Sequence, residues 1–201
     1  GIRIFAEDRP MVIARDAGRY VVRTQQGQQI ESDLVIVGVG IEPAVELAEA
    51  AGLAIDNGIV VDEYLQSSRP DVYAVGDNAN FPYQALGQRQ RVEHWDCALS
   101  QGKCAGRNMA GAREPYTYMP YFFSDLFEFG YEAVGEVSSQ LETFADWQKE
   151  YDTGVIYYLG DGKVRGVMMC NIWGQVDAAR QMIQRKEPAE PEHLAGSIRQ
   201  A

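Results

Sequence analysis

The stretch Asp71-Val72-Tyr73-Ala74-Val75-Gly76-Asp77-Asn78-Ala79 constrains the fold more than any other part of the sequence. Its apolar run is rich in β-forming residues and stops at a glycine and an aspartate, which predicts a buried strand whose carboxyl end opens on a loop. Open α/β sheets bind ligands at such strand ends. The carboxylate of Asp77 can accept hydrogen bonds from ligand hydroxyls, and Gly76 admits close approach of the backbone. An Asp that only caps the next segment explains this stretch equally well.

Length and charge exclude several classes of function. The 201 residues, 46% of them hydrophobic, suffice for one large domain or two small ones. A formal charge of -11 repels phosphate backbones and argues against a nucleic-acid partner. No apolar run reaches the roughly 18 residues of a membrane span, and the residues from Gly1 to Pro10 carry charges where a signal peptide is apolar. We therefore expect a cytoplasmic protein without a membrane span.

The cysteines and histidines do not form a pattern typical of a redox dithiol or a metal site. Cys97, Cys104 and Cys170 are odd in number and contain no C-x-x-C, so they are predicted to be reduced, mostly buried thiols. The two histidines, His94 and His193, lie far apart in the sequence, which argues against a shared metal ion.

The first part of the chain is predicted to form an antiparallel meander. Turn-prone residues separate the short β-like runs Ile2 to Phe5, Met11 to Ala14 and Tyr20 to Thr24. A continuous apolar strand, Leu34 to Val37, then leads to Gly38-Val39-Gly40-Ile41-Glu42-Pro43. Because Pro43 occupies the place of the third glycine of a dinucleotide fingerprint, this G-x-G is not expected to be a phosphate loop.

The middle of the chain alternates short elements around the opening stretch. We predict a helix from Val45 to Ala51, a strand from Gly58 to Asp62, and a loop from Asn80 to Arg91. A long helix should follow from Glu93 to Met109, and its buried side is expected to carry Ala98, Cys104, Ala105 and Met109.

An aromatic-rich second module is predicted from about Tyr121 onward. Its expected elements are strands within Tyr121 to Val137, Val155 to Leu159 and Val164 to Asn171, a hairpin turn at Gly160-Asp161-Gly162, and a helix from Val176 to Arg185. The tail, Lys186 to Ala201, is expected to contain one short helix.

Several blocks of the sequence together resemble one family. The stretch from Asp71 to Ala79 is similar to the second flavin-binding motif of the FAD- and NAD(P)H-dependent pyridine nucleotide-disulfide oxidoreductases. Four further blocks resemble the apoptosis-inducing factor-like branch in order and spacing: Arg91-Val92-Glu93-His94-Trp95-Asp96, Tyr121-Phe122-Phe123-Ser124-Asp125-Leu126, Gly130-Tyr131-Glu132-Ala133-Val134-Gly135 and Gly154-Val155-Ile156-Tyr157-Tyr158-Leu159. The resemblance covers nearly the whole chain from about Asp33.

This resemblance implies a fold that is α/β plus α+β. It predicts a remnant of an FAD-binding Rossmann-like domain with a β-meander, followed by the carboxyl-terminal α+β domain of a reductase, of the dimerisation or interface type. The implied limits are 1–40 for the end of an NAD-binding domain, 41–120 for the carboxyl-terminal part of the FAD-binding domain, and 121–201 for the last domain. Neither Gly-rich βαβ unit is present, so we expect the carboxyl-terminal portion of a longer reductase that alone holds no FAD tightly.

The resemblance also implies cofactor-binding residues and no catalytic side chain. The residues expected to bind FAD are Gly76, Asp77, His94 and Trp95. Those expected to bind NAD are Gly40, Glu93, His94, Phe123 and Glu132. Asp77 should bind the ribityl or phosphate part of FAD, and the helix beginning near Glu93 should point its amino end at the pyrimidine edge of the flavin ring.

Plainer roles remain open for some of these residues. Gly40 can be a simple turn glycine, His94 a core histidine bonded to backbone, and Phe123 ordinary core packing. The sequence also departs from the family pattern. Trp95 and Cys97 replace two histidines, Phe123 stands where tryptophan is usual, and Gly174 stands where the branch has asparagine.

The implied activity is hydride transfer from NAD(P)H to FAD and then to an unidentified electron acceptor. Two alternatives stay open: the reductase component of a ferredoxin or rubredoxin system, and a non-catalytic, NADH-responsive interaction module. A homodimer is compatible with each of the three.

Overall fold

A three-stranded antiparallel meander occupies the first of the two units, Gly1–Glu42 and Pro43–Ala201, into which the computed structural model divides. The structure describes residues 1–185 and 187–199. The strands are β1 (Pro10–Asp16), β2 (Arg19–Thr24) and β3 (Gln29–Ser32). A two-residue turn joins β1 to β2, with φ of 47° at Ala17 and 87° at Gly18, as hairpin turns require. An antiparallel meander is thus confirmed, with two of its predicted strands, while its third strand is β3 and not Ile2 to Phe5.

Two strands predicted in the first unit do not form. Ile2 to Phe5 and Leu34 to Val37 have no regular secondary structure, and their apolar side chains are largely exposed. A strand needs the backbone of a neighbour to accept and donate its hydrogen bonds, and none of the described strands pairs with either run. The apolar pattern therefore indicates β-propensity correctly but not strand formation.

A small sheet begins the second unit and corrects a predicted loop. After helix α1 (Glu46–Ala50), β4 (Ile59–Val60) pairs in parallel with β5 (Ala79–Tyr83), which pairs antiparallel with β6 (Gln88–Arg91). The loop prediction for Asn80 to Arg91 is therefore wrong. The residues of β6 are polar, so the sequence lacks the apolar pattern of a strand there. Arg89 stabilises this strand because its guanidinium donates to the carbonyls of Val61 and Asn80 at 2.7 and 2.6 Å.

The prediction of a buried strand that ends at Gly76 is also wrong. Tyr73 makes one isolated bridge to Gln66, and both Val72 and Val75 are exposed. The chain then forms a single 3₁₀ turn, Gly76–Asn78. The backbone before this turn bonds to the preceding loop rather than to a strand, since the amide of Ala74 donates to the carbonyl of Leu65.

Helix α2 (Trp95–Met109) agrees with the predicted helix, but its buried face differs. The buried residues are Cys97, Gln101, Cys104, Ala105 and Asn108, whereas Ala98 is half-buried and Met109 is 67% exposed. Two of the buried side chains are polar because they satisfy backbone groups. Asn108, for example, donates to the carbonyl of Glu114 and accepts from its amide. An apolar pattern could not reveal such positions.

The carboxyl-terminal module is a five-stranded antiparallel sheet with order β7-β8-β11-β10-β9. Its strands are β7 (Tyr121–Leu126), β8 (Phe129–Gly135), β9 (Glu142–Lys149), β10 (Thr153–Gly160) and β11 (Lys163–Cys170). Helices α3 (Val176–Arg185) and α4 (Pro191–Leu194) follow. The predicted α+β module, its hairpin turn and α3 are confirmed, while β9 is an addition, because this half-exposed edge strand lacks an apolar run. Lys186, Gln200 and Ala201 of the predicted tail lie outside the described residues.

No helix among the described residues is both long and apolar enough to cross a membrane. The domain limits 1–40, 41–120 and 121–201 remain a prediction. The contacts within the chain divide it between Glu42 and Pro43.

All three thiols are free and buried, which leads to a simple test of the fold. Burial raises the pKa of Cys97 to about 12 and that of Cys170 to about 11, and it also raises the pKa of Cys104. Because the thiolate is the reactive form, we expect the native chain to react slowly with an aromatic disulfide reagent at pH 8. The urea-unfolded chain should release three equivalents of chromophore. Rapid reaction of one thiol in the native chain would contradict the packing around α2 and β11.

Candidate functional site

The 3₁₀ turn is docked directly on helix α2. The amide of Gly76 donates to Oε1 of the buried Gln101 at 2.7 Å. Gly76 has a φ of +69°, and a Cβ at this position would lie 3.2 Å from the Cβ of Ala98. Both the backbone conformation and the available space therefore favour glycine. This contact positions the following residue, Asp77, whose side chain is exposed.

Arg91 links the 3₁₀ turn to the segment that enters α2. Its Nη1 donates to the carbonyl of Asp77 at 2.9 Å and lies 2.5 Å from Oε1 of Glu93. The side chain of Arg91 is 9% exposed, so this cation is largely withdrawn from solvent. Asp77 and Glu93 are thus brought to one place by a residue that the sequence interpretation did not assign to the site.

His94 stands at the N-cap position of α2 and is half-buried. Its ring lies 4.4 Å from the ring of Phe122, measured between centroids. Nδ1 is buried and has no hydrogen-bond partner within the part of the chain that the structure describes. Burial lowers the pKa of His94, and the charges of Asp77, Glu93 and Asp96 offset this in part. The lowered pKa favours the neutral form of the imidazole. The charge of Asp77 thus acts on the imidazole of His94.

The amino end of α2 has backbone donors that the helix itself does not use. Among residues 1–185 and 187–199 no side chain caps this helix, and the first intrahelical bond runs from the amide of Ala98 to the carbonyl of His94. The amides before Ala98 have no acceptor within the helix, and the aligned peptide dipoles place a partial positive charge there. Trp95, the first helical residue, is 70% exposed.

A shallow cavity of about 260 Å³ opens beside this helix end. It is lined by Glu93, His94, Trp95, Asp96, Tyr121, Phe122 and Phe123. Phe123 is 55% exposed and lies opposite Glu132 in the register of β7 and β8. The structure therefore brings Phe123 to the same cavity as His94, as a surface residue rather than as core packing.

Glu132 and Gly40 are the two other residues predicted to bind NAD. Oε2 of Glu132 accepts a hydrogen bond from the amide of Gly174 at 3.0 Å, and Gly174 has a φ of +73°. Gly174, where the sequence departs from the family pattern, thus contacts Glu132, which is predicted to bind NAD. Gly40 belongs to the first unit, in an exposed segment without regular secondary structure, and has a φ of +86°. Its role as an NAD contact stays a prediction.

Three residues at the site escaped the sequence interpretation: Arg91, Gln101 and Phe122. Arg91 is the first residue of the block Arg91-Val92-Glu93-His94-Trp95-Asp96. Gln101 follows His94 by two helical turns, a spacing that places both on one face of α2. Phe122 had no distinguishing signal among its aromatic neighbours.

Comparison with known proteins agrees with the predicted resemblance. The family model described as pyridine nucleotide-disulphide oxidoreductase matches residues 1–102. A second model, the carboxyl-terminal domain of mitochondrion-associated apoptosis-inducing factor, matches residues 105–150 and 145–185. The mitochondrial apoptosis-inducing factor 1 of Dictyostelium discoideum is 40% identical over 188 residues, which cover 86% of this chain and 35% of that protein.

Solved structures support the predicted fold class. The ferredoxin reductase of the CYP199A2 system from Rhodopseudomonas palustris superimposes with a TM-score of 0.86 at 30% identity, over 97% of this chain and 48% of that chain. The reductase in a covalent putidaredoxin reductase–putidaredoxin complex superimposes with a TM-score of 0.82 at 30% identity, over 94% of this chain and 46% of that chain. The chain thus spans less than half the length of these relatives.

Proposed function

Because this chain belongs to the pyridine nucleotide-disulphide oxidoreductase family, whose model matches residues 1–102, we propose that it forms the carboxyl-terminal part of an FAD-dependent NAD(P)H oxidoreductase. The whole protein passes hydride from NADH or NADPH to FAD and then electrons to an acceptor. One observation carries the proposal: the uncapped amino end of α2 lies beside the buried, unpartnered Nδ1 of His94 and the exposed carboxylate of Asp77, among the residues that the structure describes.

These groups fit the chemistry of a flavin. A buried polar atom without a partner is costly, so the Nδ1 of His94 is a candidate to meet a polar ligand. Asp77 is proposed to accept hydrogen bonds from the ribityl chain, and Gly76 to admit it closely. The free amides of α2 offer donors to the pyrimidine edge and stabilise negative charge there by roughly 0.3 to 1 kcal/mol, or up to about 2 in partly buried geometry.

When bound, FAD supplies the hydride-accepting chemistry, while the protein aligns the two cofactors. On the nicotinamide side we assign Glu93, His94, Phe123 and Glu132 in the second unit and Gly40 in the first. The exposed ring of Phe123 offers an aromatic face beside His94. On this proposal the 201-residue chain alone retains FAD weakly.

A second candidate is the reductase component of an iron–sulfur electron-transfer system. It is favoured by the likeness to two ferredoxin-type reductases at TM-scores of 0.86 and 0.82. The formal charge of -11 works against docking of an equally acidic ferredoxin. A cytoplasmic location and a homodimer formed by the carboxyl-terminal module also belong to our proposal. The third alternative is a non-catalytic module that responds to NADH.

Stopped-flow reduction of the flavin-loaded protein by NADH tests the proposal. We expect bleaching of the flavin absorbance, and Phe123→Ala should slow it about five-fold, since one aromatic contact contributes roughly 1 kcal/mol. Phe127→Ala is the matched control, because Phe127 is fully exposed at the tip of the same hairpin and should leave the rate unchanged.

Other outcomes would support one of the two alternative functions. Saturable turnover that requires an added iron–sulfur protein would identify a ferredoxin-type reductase. If NADH changes the molar mass measured by light scattering but reduces no flavin, the interaction module is correct and hydride transfer is not.

A further inference from the structure

Asp96 occupies an unusual position at the start of α2. A carboxylate in the first turn of a helix ordinarily interacts with the free amides of its own helix. Here it is turned toward the next segment, where Oδ1 accepts from the hydroxyl of Tyr118 at 3.3 Å and Oδ2 accepts from the amide of Tyr121 at 3.2 Å. Its side chain is only 15% exposed. A largely buried negative charge therefore lies close to a site that is proposed to favour negative charge on its ligand.

Arg180 of helix α3 compensates this charge. Its Nη2 lies 3.8 Å from Oδ2 of Asp96 and donates to the hydroxyl of Tyr118 at 2.5 Å. The guanidinium also lies 4.5 Å from the centroid of the Tyr118 ring, and its Nε donates to the carbonyl of Met119 at 2.9 Å. The side chain is 17% exposed. These contacts hold the cation in one orientation against Asp96 and tie α3 to the amino end of α2.

Two arginines lie against two of the three carboxylates around His94. Glu93 pairs with Arg91, Asp96 lies against Arg180, and Asp77 is exposed to solvent. The ring stacked on the imidazole is the uncharged ring of Phe122. Each of the two carboxylates nearest in sequence to His94 thus has an arginine against it. One of these arginines, Arg180, comes from the carboxyl-terminal module and also pairs with Asp177 at 2.9 Å.

We propose that Arg180 is a positioning residue for the flavin site. It fixes Asp96 away from the amides of α2 and neutralises its charge, so that the helix end carrying His94 and Trp95 stays electropositive and free to donate hydrogen bonds. The inference deepens the proposed function and rests on it, because an electropositive helix end matters only if an electron-rich ligand binds there.

The pKa of His94, measured by NMR titration of the imidazole in the 201-residue chain, tests this role without any flavin. Arg180→Met removes a cation and leaves Asp96 uncompensated, so we expect the pKa of His94 to rise by about 0.5 pH unit. Arg180→Lys should restore most of the original value. Arg185→Met is the matched control, since Arg185 lies exposed at the end of the same helix, and it should cause no change.

A second variant keeps the test decisive if Arg180→Met does not fold. Asp96→Asn preserves an acceptor for Tyr118 and Tyr121 but removes a carboxylate near His94, while Arg180 stays paired with Asp177 at 2.9 Å, so the pKa of His94 should fall. An unchanged pKa in a folded Arg180→Met or Asp96→Asn chain overturns the proposal and leaves Arg180 a purely structural residue. Because the titration needs no cofactor, its failure is distinct from a failure of hydride transfer in the flavin-loaded protein.

Discussion

Replacing Gly166 by alanine is expected to lower the free energy of unfolding by about 3 kcal/mol or more. A Cβ on Gly166 would lie 2.2 Å from the carbonyl oxygen and 3.1 Å from the amide nitrogen of Glu136. These backbone atoms belong to the residue that directly follows the paired strand β8, so a side-chain rotation cannot relieve the overlap. Gly135, the register partner of Gly166, is equally crowded, because its Cβ would lie 2.3 Å from the carbonyl oxygen of Arg165.

The close approach of β8 and β11 at this end of the sheet allows further contacts. The close approach brings Arg165 and Glu136 together in an ion pair with two hydrogen bonds, at 2.7 and 3.0 Å. Nη1 of Arg165 also donates to the carbonyl of Leu86 at 3.0 Å. The five-stranded sheet is thereby fastened to the β5–β6 hairpin. Separation of the two strands is expected to loosen the hairpin as well.

Urea denaturation followed by circular dichroism measures this effect. Gly102→Ala is the matched control, because Gly102 lies in α2 and a Cβ added there would meet no atom within 4 Å, and alanine should stabilise a helix interior by roughly 0.5 to 1 kcal/mol. The two Gly-to-Ala changes should therefore act in opposite directions. A Gly166→Ala chain with an unchanged midpoint would show that β8 and β11 do not approach each other as closely as described.

Replacing Asp77 by alanine is expected to weaken binding of FAD to the flavin-free whole protein about 10- to 100-fold, since a hydrogen bond to a charged acceptor contributes roughly 1.5 to 3 kcal/mol. The backbone of Asp77 is held by Arg91 and by the docking of Gly76 on α2. Because the side chain itself is exposed, its removal should affect the ligand and leave the fold intact. The measurement is the dissociation constant of FAD, obtained from quenching of flavin fluorescence.

A matched control separates the specific effect from a change of net charge. Asp71→Asn removes the same charge from an exposed position in the same stretch, and asparagine accepts the φ of 63° found there. FAD affinity should remain unchanged in this variant. Equal weakening by both substitutions would show that Asp77 acts only through long-range electrostatics, and unchanged affinity in Asp77→Ala would remove it from the flavin site.

The helices illustrate what local patterns can predict. The sequence predicts helix α3 at Val176–Arg185 and α2 within one turn of its observed start, because apolar spacing and flanking turn residues are local signals. The strands predicted at Leu34 to Val37 and before Gly76 are wrong, since strand formation depends on a partner distant in the chain. The sequence fails to predict the polar strand β6 for the same reason.

The candidate site shows the same division. The sequence by itself determined which residue types stand in the 3₁₀ turn, at the helix entry and on the hairpin, namely Asp77, His94, Trp95 and Phe123, because short motifs keep their order and spacing. Only the tertiary structure decided that Gln101 anchors Gly76, that Arg91 joins Asp77 to Glu93, and that Arg180 balances Asp96. Such pairings join residues far apart in the chain, and their stability depends on burial and on competing partners, which no local pattern encodes.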